Sequence, residues 1–200
     1  MVISQILLWA AVIVQALLIA ALARQIGVLH ERIAPAGALS LPQSVKVGEV
    51  ATPLTLTTVA GGTIEIGGQN RRAGNARSQL LFFASPDCPV CKSLLPVVRS
   101  AARAEAGWVD IILAGDGAVA GYRQLAKAHG VEDMPMVLSE ALGRAYGVSK
   151  LPYAVLIDEA GRVASTGLVN SREHLESLFV AKEHGVASIQ DYLAKRNGDA

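Results

Sequence analysis

The two cysteines of this 200-residue chain lie three residues apart, in the segment Cys88-Pro-Val-Cys91. An apolar run from Leu80 to Ala84 and a turn-forming Ser-Pro-Asp segment precede them, and apolar residues recur at helical spacing after Lys92. The pattern predicts a strand, a sharp turn, the Cys-x-x-Cys motif and a helix. This setting favours a redox-active cysteine pair over half of a zinc site.

The position of the motif predicts which cysteine reacts. Backbone N–H groups at the start of a helix lack intrahelical partners, and the positive end of the helix dipole lies there as well. Both effects stabilise a thiolate, which is the form that attacks disulfides. We therefore predict that Cys88 is the nucleophile and that Cys91 is the resolving thiol. Pro89 suits the first helical position, while Lys92 adds a positive charge that Asp87 opposes.

Two other uses of a cysteine pair compete with this interpretation. A structural zinc site needs four ligands, and the histidines show no paired ligand spacing; they are His30, His129, His174 and His184. We therefore expect neither a metal nor another cofactor. A purely structural disulfide is the second alternative, although so short a loop would constrain the unfolded chain less than a long one.

Composition narrows the classes of function. The formal net charge is +1 and no basic run interrupts the chain, so we predict no nucleic-acid partner. A length of 200 residues accommodates one domain with appendages. Hydrophobic residues make up 52% of the chain, and the N-terminus contributes much of that excess.

The N-terminus is predicted to form a membrane anchor. Residues 2–23 carry no charge, and only Ser4, Gln5 and Gln15 are polar. A helix of this length, at about 1.5 Å per residue, spans the roughly 30 Å hydrocarbon core of a bilayer. A cleaved signal peptide is the alternative, because Ala21-Leu-Ala23 resembles a cleavage site. Against it, the N-terminus has no Lys or Arg and the apolar run is longer than usual for a signal peptide.

Two arguments about the orientation of the anchor conflict. Arg24, Arg32 and Lys46 follow the apolar run, and the positive-inside rule would keep the rest of the chain in the cytoplasm. A domain that handles disulfides instead belongs outside, where disulfides persist. The predicted organisation is an anchor at 1–24, a juxtamembrane linker at 25–47 and a folded domain at 48–200.

The folded domain alternates strand and helix patterns, which predicts an α/β domain of three layers, α/β/α. Tyr122, Leu125 and Ala126 are expected to face inward, and Ser139 to cap a short helix. The predicted elements are a β-hairpin at 52–66, a polar loop at 67–78 with solvated arginines 71, 72 and 77, strands at 108–113 and 136–138, helices at 119–129 and 140–146, a strand after Pro152, a hairpin partner at 162–166 and a long helical pattern at 171–195, interrupted at Gly185.

The strand, Cys-x-x-Cys motif and helix, followed by Leu151-Pro152 and a hairpin, resemble the thioredoxin fold. In that fold, the residue that matches Pro152 is a cis proline packed against the redox pair. The N-terminal hairpin at 52–66 and the intermediate segment from Gly115 to Tyr146 resemble the membrane-anchored, extracytoplasmic branch of thioredoxin-like proteins. Over essentially the whole chain, and most specifically in Ser85–Lys92 and the tail from Gly167, the sequence is similar to the MauD family, accessory proteins of methylamine dehydrogenase maturation.

This resemblance implies a thiol–disulfide oxidoreductase of the bacterial inner membrane, single-pass, with its thioredoxin-like domain facing the periplasm. Its client would be the small subunit of methylamine dehydrogenase, whose disulfides it would form or isomerise, and a membrane redox partner protein is also implied. Cys88, Cys91 and Pro152 match the active-site positions. Phe82 stands where thioredoxin has a buried acid, which mildly favours an oxidant or isomerase over a reductase.

Two other functions stay open. Peroxiredoxins share the hairpin and the general layout, and they place Thr or Ser three residues before the peroxidatic cysteine and Pro seven before it. Ser85 meets the first condition and Leu81 fails the second. The other alternative is a non-enzymatic, membrane-tethered chaperone that captures its client as a mixed disulfide.

Overall fold

A computed structural model describes residues 2–3, 5–9, 12–19, 45–68, 71–72 and 75–184. The chain forms two compact units, Met1–Ser40 and Leu41–Ala200. In the first unit, the described residues are helical. Within the described stretches, no helix combines the length and the apolar character that crossing a membrane requires. Parts of the predicted anchor (residues 1, 4, 10, 11 and 20–24) and nearly all of the predicted linker lie outside the described residues, so both stay predictions.

The elements of the second unit follow one another as strands and helices. In chain order they are β1 (Leu54–Thr57), β2 (Thr63–Ile66), β3 (Arg71–Arg72), β4 (Asn75–Ala76), β5 (Ser78–Phe83), α1 (Pro89–Ala104), β6 (Val109–Gly115), α2 (Val119–His129), β7 (Met136–Leu138), α3 (Glu140–Ala145), β8 (Tyr153–Ile157), β9 (Val163–Leu168) and α4 (Arg172–Glu183).

A five-stranded sheet with the strand order β7-β6-β5-β8-β9 is the centre of this unit. β5, β6 and β7 run parallel, whereas β8 and β9 are antiparallel to their neighbours. All six residues of β5 are buried, as expected for a central strand that is covered on both faces. The strand that leads into the Cys-x-x-Cys motif is therefore the central strand of the sheet.

Alternation along β5 divides the core into two halves. Leu80 and Phe82 lie in a cluster with apolar residues of α1, α2 and α4. Leu81 and Phe83 lie in a second cluster, with apolar residues of α3 and of the β1–β2 hairpin. The sheet thus has a helical layer on one face and a mixed layer of a short helix and a hairpin on the other, which confirms the predicted α/β domain.

Most predicted elements are present at or near the predicted positions. The hairpin at 52–66 pairs antiparallel, and α2 has the predicted bounds with Tyr122, Leu125 and Ala126 buried. Ser139 caps α3, because its Oγ accepts a hydrogen bond from the N–H of Leu142 at 3.1 Å. The C-terminal helix α4 ends at Glu183, and the rest of that prediction (residues 185–195) lies outside the described residues.

The predicted polar loop at 67–78 was wrong in two respects. Its middle contains the short antiparallel pair β3–β4, and β5 already begins at Ser78. Arg77, expected in solvent, is only 13% exposed in its side chain. Its guanidinium pairs with Asp110 at 3.0 Å, and it also donates to three backbone carbonyls, those of Ala106, Gly107 and Val109. These partners satisfy the charge, so burial is possible.

Candidate active site

The two cysteines form a disulfide at the start of α1, with their Cα atoms 5.2 Å apart. Cys88 is the N-cap residue of this helix, and Pro89 is its first residue, as the sequence predicts. The Sγ atom of Cys88 accepts a hydrogen bond from the backbone N–H of Cys91 at 3.1 Å. In the reduced protein, the same orphan donor and the helix dipole would stabilise a thiolate on Cys88.

The two sulfur-bearing residues differ in exposure. Cys88 is half-buried, whereas Cys91 is completely buried within the cluster that includes Leu94 and Leu95. Solvent and a client can therefore reach Cys88 more easily than Cys91. This difference supports the predicted roles of nucleophile and resolving thiol, which themselves stay predictions.

The turn before the helix is held by its own backbone and one hydroxyl. The N–H of Cys88 donates to the carbonyl oxygen of Ser85 at 3.1 Å. The N–H of Asp87 donates to Ser85 Oγ at 3.2 Å, a local bond typical of serine in turns. Ser85 thus accepts hydrogen bonds from the two residues at the cysteine end of the short connection between β5 and the redox pair.

Pro152 lies at the same end of the sheet as the cysteine turn. The Leu151–Pro152 bond is cis, as the thioredoxin resemblance predicts, and Pro152 is buried. Tyr153 pairs with Phe83, the last residue of β5. The residue before Tyr153 is therefore next to the point where the chain leaves β5 for Cys88. The structure brings all three predicted site residues to the same end of the sheet, while their catalytic roles stay predictions.

Phe82 is completely buried and packs in the same cluster as Cys91. An aromatic ring therefore occupies the position at which the resemblance places a buried acid in thioredoxin. A phenyl ring cannot accept a proton from the resolving thiol. Any proton acceptor for Cys91 must come from another residue, from solvent or from the client.

Tyr122 is a residue whose part in the site the sequence does not reveal. Its hydroxyl is buried; it donates to the carbonyl oxygen of Ala84 at 3.0 Å and accepts from the N–H of Asp116 at 3.1 Å. Burial raises the pKa of Tyr122, and the charges of Asp116 and Asp87 add to that rise, while the bond from Asp116 opposes it. An apolar-facing tyrosine at helical spacing predicts core packing only, so no signal in the sequence marked this hydroxyl.

Exposed apolar side chains surround the redox end of the sheet. We call the four residues Val90, Val119, Leu151 and Leu168 the apolar rim; each is between 39% and 43% exposed. Val90 lies between the cysteines, Leu151 precedes Pro152, and Leu168 pairs with Tyr153. Single exposed apolar residues are ordinary, and these four share the end of the sheet that carries the disulfide.

A cavity of about 220 Å³ opens at this end, between the carboxyl ends of β5 and β6, α3 and the loop before Pro152. Its lining includes Ala84, Asp116, Lys150 and Leu151. A larger cavity of about 530 Å³ lies near the opposite end of the sheet, beside Arg77, away from the cysteines. Nowhere in the described part of the chain do three or more His, Cys, Asp or Glu side chains group in a way that could hold a metal ion.

Comparison with known families places residues 69–182 in a thioredoxin-like domain family. Methylamine utilization protein MauD from Methylobacillus flagellatus is 39% identical to the chain, over 100% of the chain and 95% of that protein. The MauD proteins of Methylophilus methylotrophus and Paracoccus denitrificans are 41% and 39% identical, over 97% and 98% of the chain and 90% and 96% of their own lengths.

Solved structures share the fold at low sequence identity. The thioredoxin domain of a thiol-disulfide oxidoreductase from Bacteroides vulgatus matches with a TM-score of 0.56 and 15% identity, over 69% of this chain and 99% of that one. A secreted Mycobacterium tuberculosis disulfide oxidoreductase matches with a TM-score of 0.51 and 19% identity, over 64% and 95%. A thioredoxin-like fold with a Cys-x-x-Cys disulfide at the start of a helix is the architecture of a thiol–disulfide oxidoreductase.

Proposed function

This chain belongs to the MauD family of methylamine utilization proteins, and we propose that it forms or isomerises disulfides in the small subunit of methylamine dehydrogenase during maturation. The observation that carries the proposal is the Cys88–Cys91 disulfide at the N-cap of α1. A disulfide at the start of a helix can be reduced and re-formed, because the helix start stabilises the thiolate that its reduction releases. The connection with methylamine comes from the family.

As an oxidant, the protein would pass its disulfide to the client in two exchanges. A client thiolate attacks Cys88 Sγ, the Cys88–Cys91 bond breaks, and the Cys91 thiolate leaves. A second client thiolate then attacks the client sulfur of the mixed disulfide, so the client gains a disulfide and Cys88 leaves as a thiolate. The protein has then gained two electrons, which a membrane redox partner protein must remove.

As an isomerase, the reduced protein would begin with Cys88. Its thiolate attacks a wrong client disulfide and forms a mixed disulfide, from which another client thiolate displaces it. No net electron transfer occurs in this cycle. If the client stalls, the Cys91 thiolate attacks Cys88 Sγ and releases the reduced client. Both cycles use Cys88 as the sulfur that bonds to the client.

The apolar rim supports a client that has not finished folding. Such a client still exposes apolar side chains beside its reactive cysteines, and Val90, Val119 and Leu151 offer an apolar surface close to Cys88. The adjoining cavity, with Lys150 and Asp116 in its lining, can receive a neighbouring client side chain. A folded client with buried cysteines would gain little from this surface.

We also propose that residues 2–23 anchor the protein in the bacterial inner membrane, with residues 48–200 in the periplasm. The charge-free sequence supports the anchor, as do the exposed apolar side chains of the helical residues 5–9 and 12–19. The periplasm is the compartment in which a disulfide persists. Reporter fusions after residue 47 test the orientation: we expect an active periplasmic reporter, whereas an active cytoplasmic reporter with a silent periplasmic one would overturn it.

Trapping the client tests the proposed function. In cells grown on methylamine, the Cys91→Ser protein lacks the resolving thiol, so its mixed disulfide should accumulate and contain the small subunit of methylamine dehydrogenase. The matched control is the double variant Cys88→Ser/Cys91→Ser, which should trap nothing. If the subunit is absent from the trapped species and matures normally in a Cys88→Ser strain, the maturation role is wrong.

A further inference from the structure

We propose that Tyr122 is a positioning residue for the redox pair. Its hydroxyl fixes the carboxyl end of β5, from which the turn to Cys88 departs, and it thereby sets the reactivity of Cys88 through the backbone. The inference rests on the proposed function in one respect only, that Cys88 is the reacting sulfur. It adds a residue from α2 to a site that the sequence assigned to Cys88, Cys91 and Pro152.

The hydroxyl of Tyr122 joins two parallel strands where both of them end. Ala84, whose carbonyl accepts its proton at 3.0 Å, is the first residue after β5. Asp116, whose N–H donates to it at 3.1 Å, is the first residue after β6. Tyr122 is only 3% exposed, so water competes little for these bonds. The hydroxyl therefore links the two strands just beyond their last paired residues, by accepting from one strand end and donating to the other.

The Tyr122 ring passes close to the backbone at the end of β6. A Cβ atom at Gly115 would overlap the Tyr122 hydroxyl, so the last residue of β6 has to be glycine for the ring to reach Ala84. The neighbouring Gly121 faces the cysteine turn itself, since a Cβ atom there would lie 3.5 Å from Pro86 Cγ. The first turn of α2 thus approaches the segment before Cys88 at two adjacent positions.

The connection from Tyr122 to the sulfur is short. Ser85 follows Ala84 directly, and its carbonyl oxygen accepts a hydrogen bond from the N–H of Cys88 at 3.1 Å. Cys88 in turn holds the N-cap position, with its Sγ 3.1 Å from the N–H of Cys91. Without the phenolic hydroxyl, the Ala84 carbonyl loses its bond to Tyr122, and this end of the turn keeps the bond from the Ala84 N–H to the Ala114 carbonyl oxygen at 2.9 Å. The N-cap bond that would stabilise the Cys88 thiolate then weakens.

The hydroxyl keeps its proton while Cys88 titrates. Burial raises the pKa of Tyr122, and the nearby carboxylates of Asp116 and Asp87 raise it further. Tyr122 therefore donates to Ala84 across the whole neutral range. Its influence on Cys88 is one of position, and it does not exchange a proton with the sulfur.

The test compares two tyrosine-to-phenylalanine variants of the full chain. Tyr122→Phe removes the bridging hydroxyl, and Tyr146→Phe is the matched control, because the buried Tyr146 hydroxyl has no hydrogen-bond partner in the described part of the chain. The readouts are the Cys88 pKa, from thiolate absorbance of the reduced protein, and the equilibrium with glutathione. We expect Tyr122→Phe to raise the Cys88 pKa by about half a unit and to shift the equilibrium about threefold toward the protein disulfide. Tyr146→Phe should change neither.

Unchanged values of both readouts in Tyr122→Phe, whatever its melting temperature, would reduce Tyr122 to core packing and overturn the proposal. If Tyr122→Phe does not fold, Gly115→Ala provides the second variant, because the added methyl group would overlap both the Tyr122 hydroxyl and the adjoining ring atoms and would therefore push the hydroxyl away from Ala84. The same two shifts are expected there, and their absence would equally overturn the proposal. A wild-type protein that exchanges no disulfide with glutathione would instead contradict the proposed function, while the pKa comparison would still decide the role of Tyr122.

Discussion

The two ends of the central sheet are held together by different forces. At the amino end of β5, charged side chains connect the strands to each other and to α4. At the carboxyl end, where the chain leaves for Cys88, a phenol, backbone hydrogen bonds and close glycine contacts hold the strands. Among the residues that the structure describes, the ion pairs that are at least partly buried lie at the first end, and the disulfide lies at the second.

The amino end contains a connected polar network. Lys182 Nζ lies 2.5 Å from Glu159 Oε1 and 4.5 Å from the centre of the Trp108 ring. Ser78 Oγ donates to the same carboxylate oxygen at 3.1 Å. Beside this network, Arg77 joins the start of β5 to Asp110 of β6. All of these groups lie a full strand length away from the cysteine turn.

The carboxyl end has fewer charges close to the reacting sulfur. In the sequence, Asp87 and Lys92 flank the redox pair, and both are exposed. Between Ala84 and Cys88 the contacts are hydrogen bonds of Tyr122, Ser85 and the backbone. Because the thiolate pKa responds to nearby charges, this arrangement separates stability from reactivity. Substitutions at the amino end should alter the free energy of unfolding, and substitutions at the carboxyl end should alter the pKa of Cys88.

The largest stability effect is expected at Arg77. Arg77→Gln leaves the Asp110 carboxylate without its guanidinium and frees three carbonyl acceptors, so we expect a loss of about 2–4 kcal/mol in the free energy of unfolding. Urea unfolding measures it, and Arg172→Gln is the control, since the Arg172–Glu176 pair is exposed and should contribute almost nothing. A shift of the Cys88 pKa in Arg77→Gln as large as that expected for Tyr122→Phe would contradict the separation of the two ends.

A smaller effect of opposite sign is expected at Tyr146. Burial raises the pKa of its hydroxyl from its ordinary value of 10.0 to about 12. Because the folded-state pKa is raised, the neutral phenol contributes stability below pH 10 that is lost as the pH rises through 12. Tyr146→Phe removes a buried polar group without a partner in the described residues, and should stabilise the fold by about 1 kcal/mol.

Unfolding by urea at several values between pH 8 and pH 12 tests this expectation. Tyr146→Phe should lose less stability at the alkaline end than the wild-type protein does. A variant that is less stable than the wild-type protein at pH 8 would show that the hydroxyl has a favourable partner after all.

The smallest effect is expected at Glu159. Burial by itself would raise the pKa of this carboxyl group, but the hydrogen bonds from Lys182 and Ser78 and the charge of Lys182 outweigh it and lower the pKa. Because the folded-state pKa is lowered, Glu159 contributes stability above the ordinary carboxyl pKa that is lost as the pH falls through the lowered value. The side chain is 39% exposed, so the contribution should stay below about 1 kcal/mol.

Glu159→Gln should therefore lower the free energy of unfolding slightly at pH 7 and by less at pH 3. Glu140→Gln is the matched control, because the Glu140–Arg144 pair is more exposed and lies at the other end of the sheet. Equal losses at both pH values in Glu159→Gln would show that the residue acts through packing, without a contribution from its charge.

The same division explains what the sequence could and could not predict. Cys88, the helix start at Pro89 and the bounds of α2 follow from local patterns, and the cis bond before Pro152 follows from the family resemblance. Arg77 and Tyr122 were not recognised, because their partners depend on the register of strands that are far apart in the chain. Arg77 reaches Asp110 across 33 residues, and Tyr122 reaches Ala84 across 38.

The most direct test of the redox assignment is the titration of each sulfur alone. Cys91→Ser leaves Cys88 as the only thiol, and Cys88→Ser leaves Cys91, so thiolate absorbance reports each pKa without overlap. We expect Cys88 to titrate well below the free-cysteine value of about 8.5, in the range of roughly 3.5–7 known for thiols at helix starts, and the buried Cys91 to titrate at or above about 8.5. If Cys91 ionises at a lower pH than Cys88, then Cys88 is not the nucleophile and the proposed exchange through it is wrong.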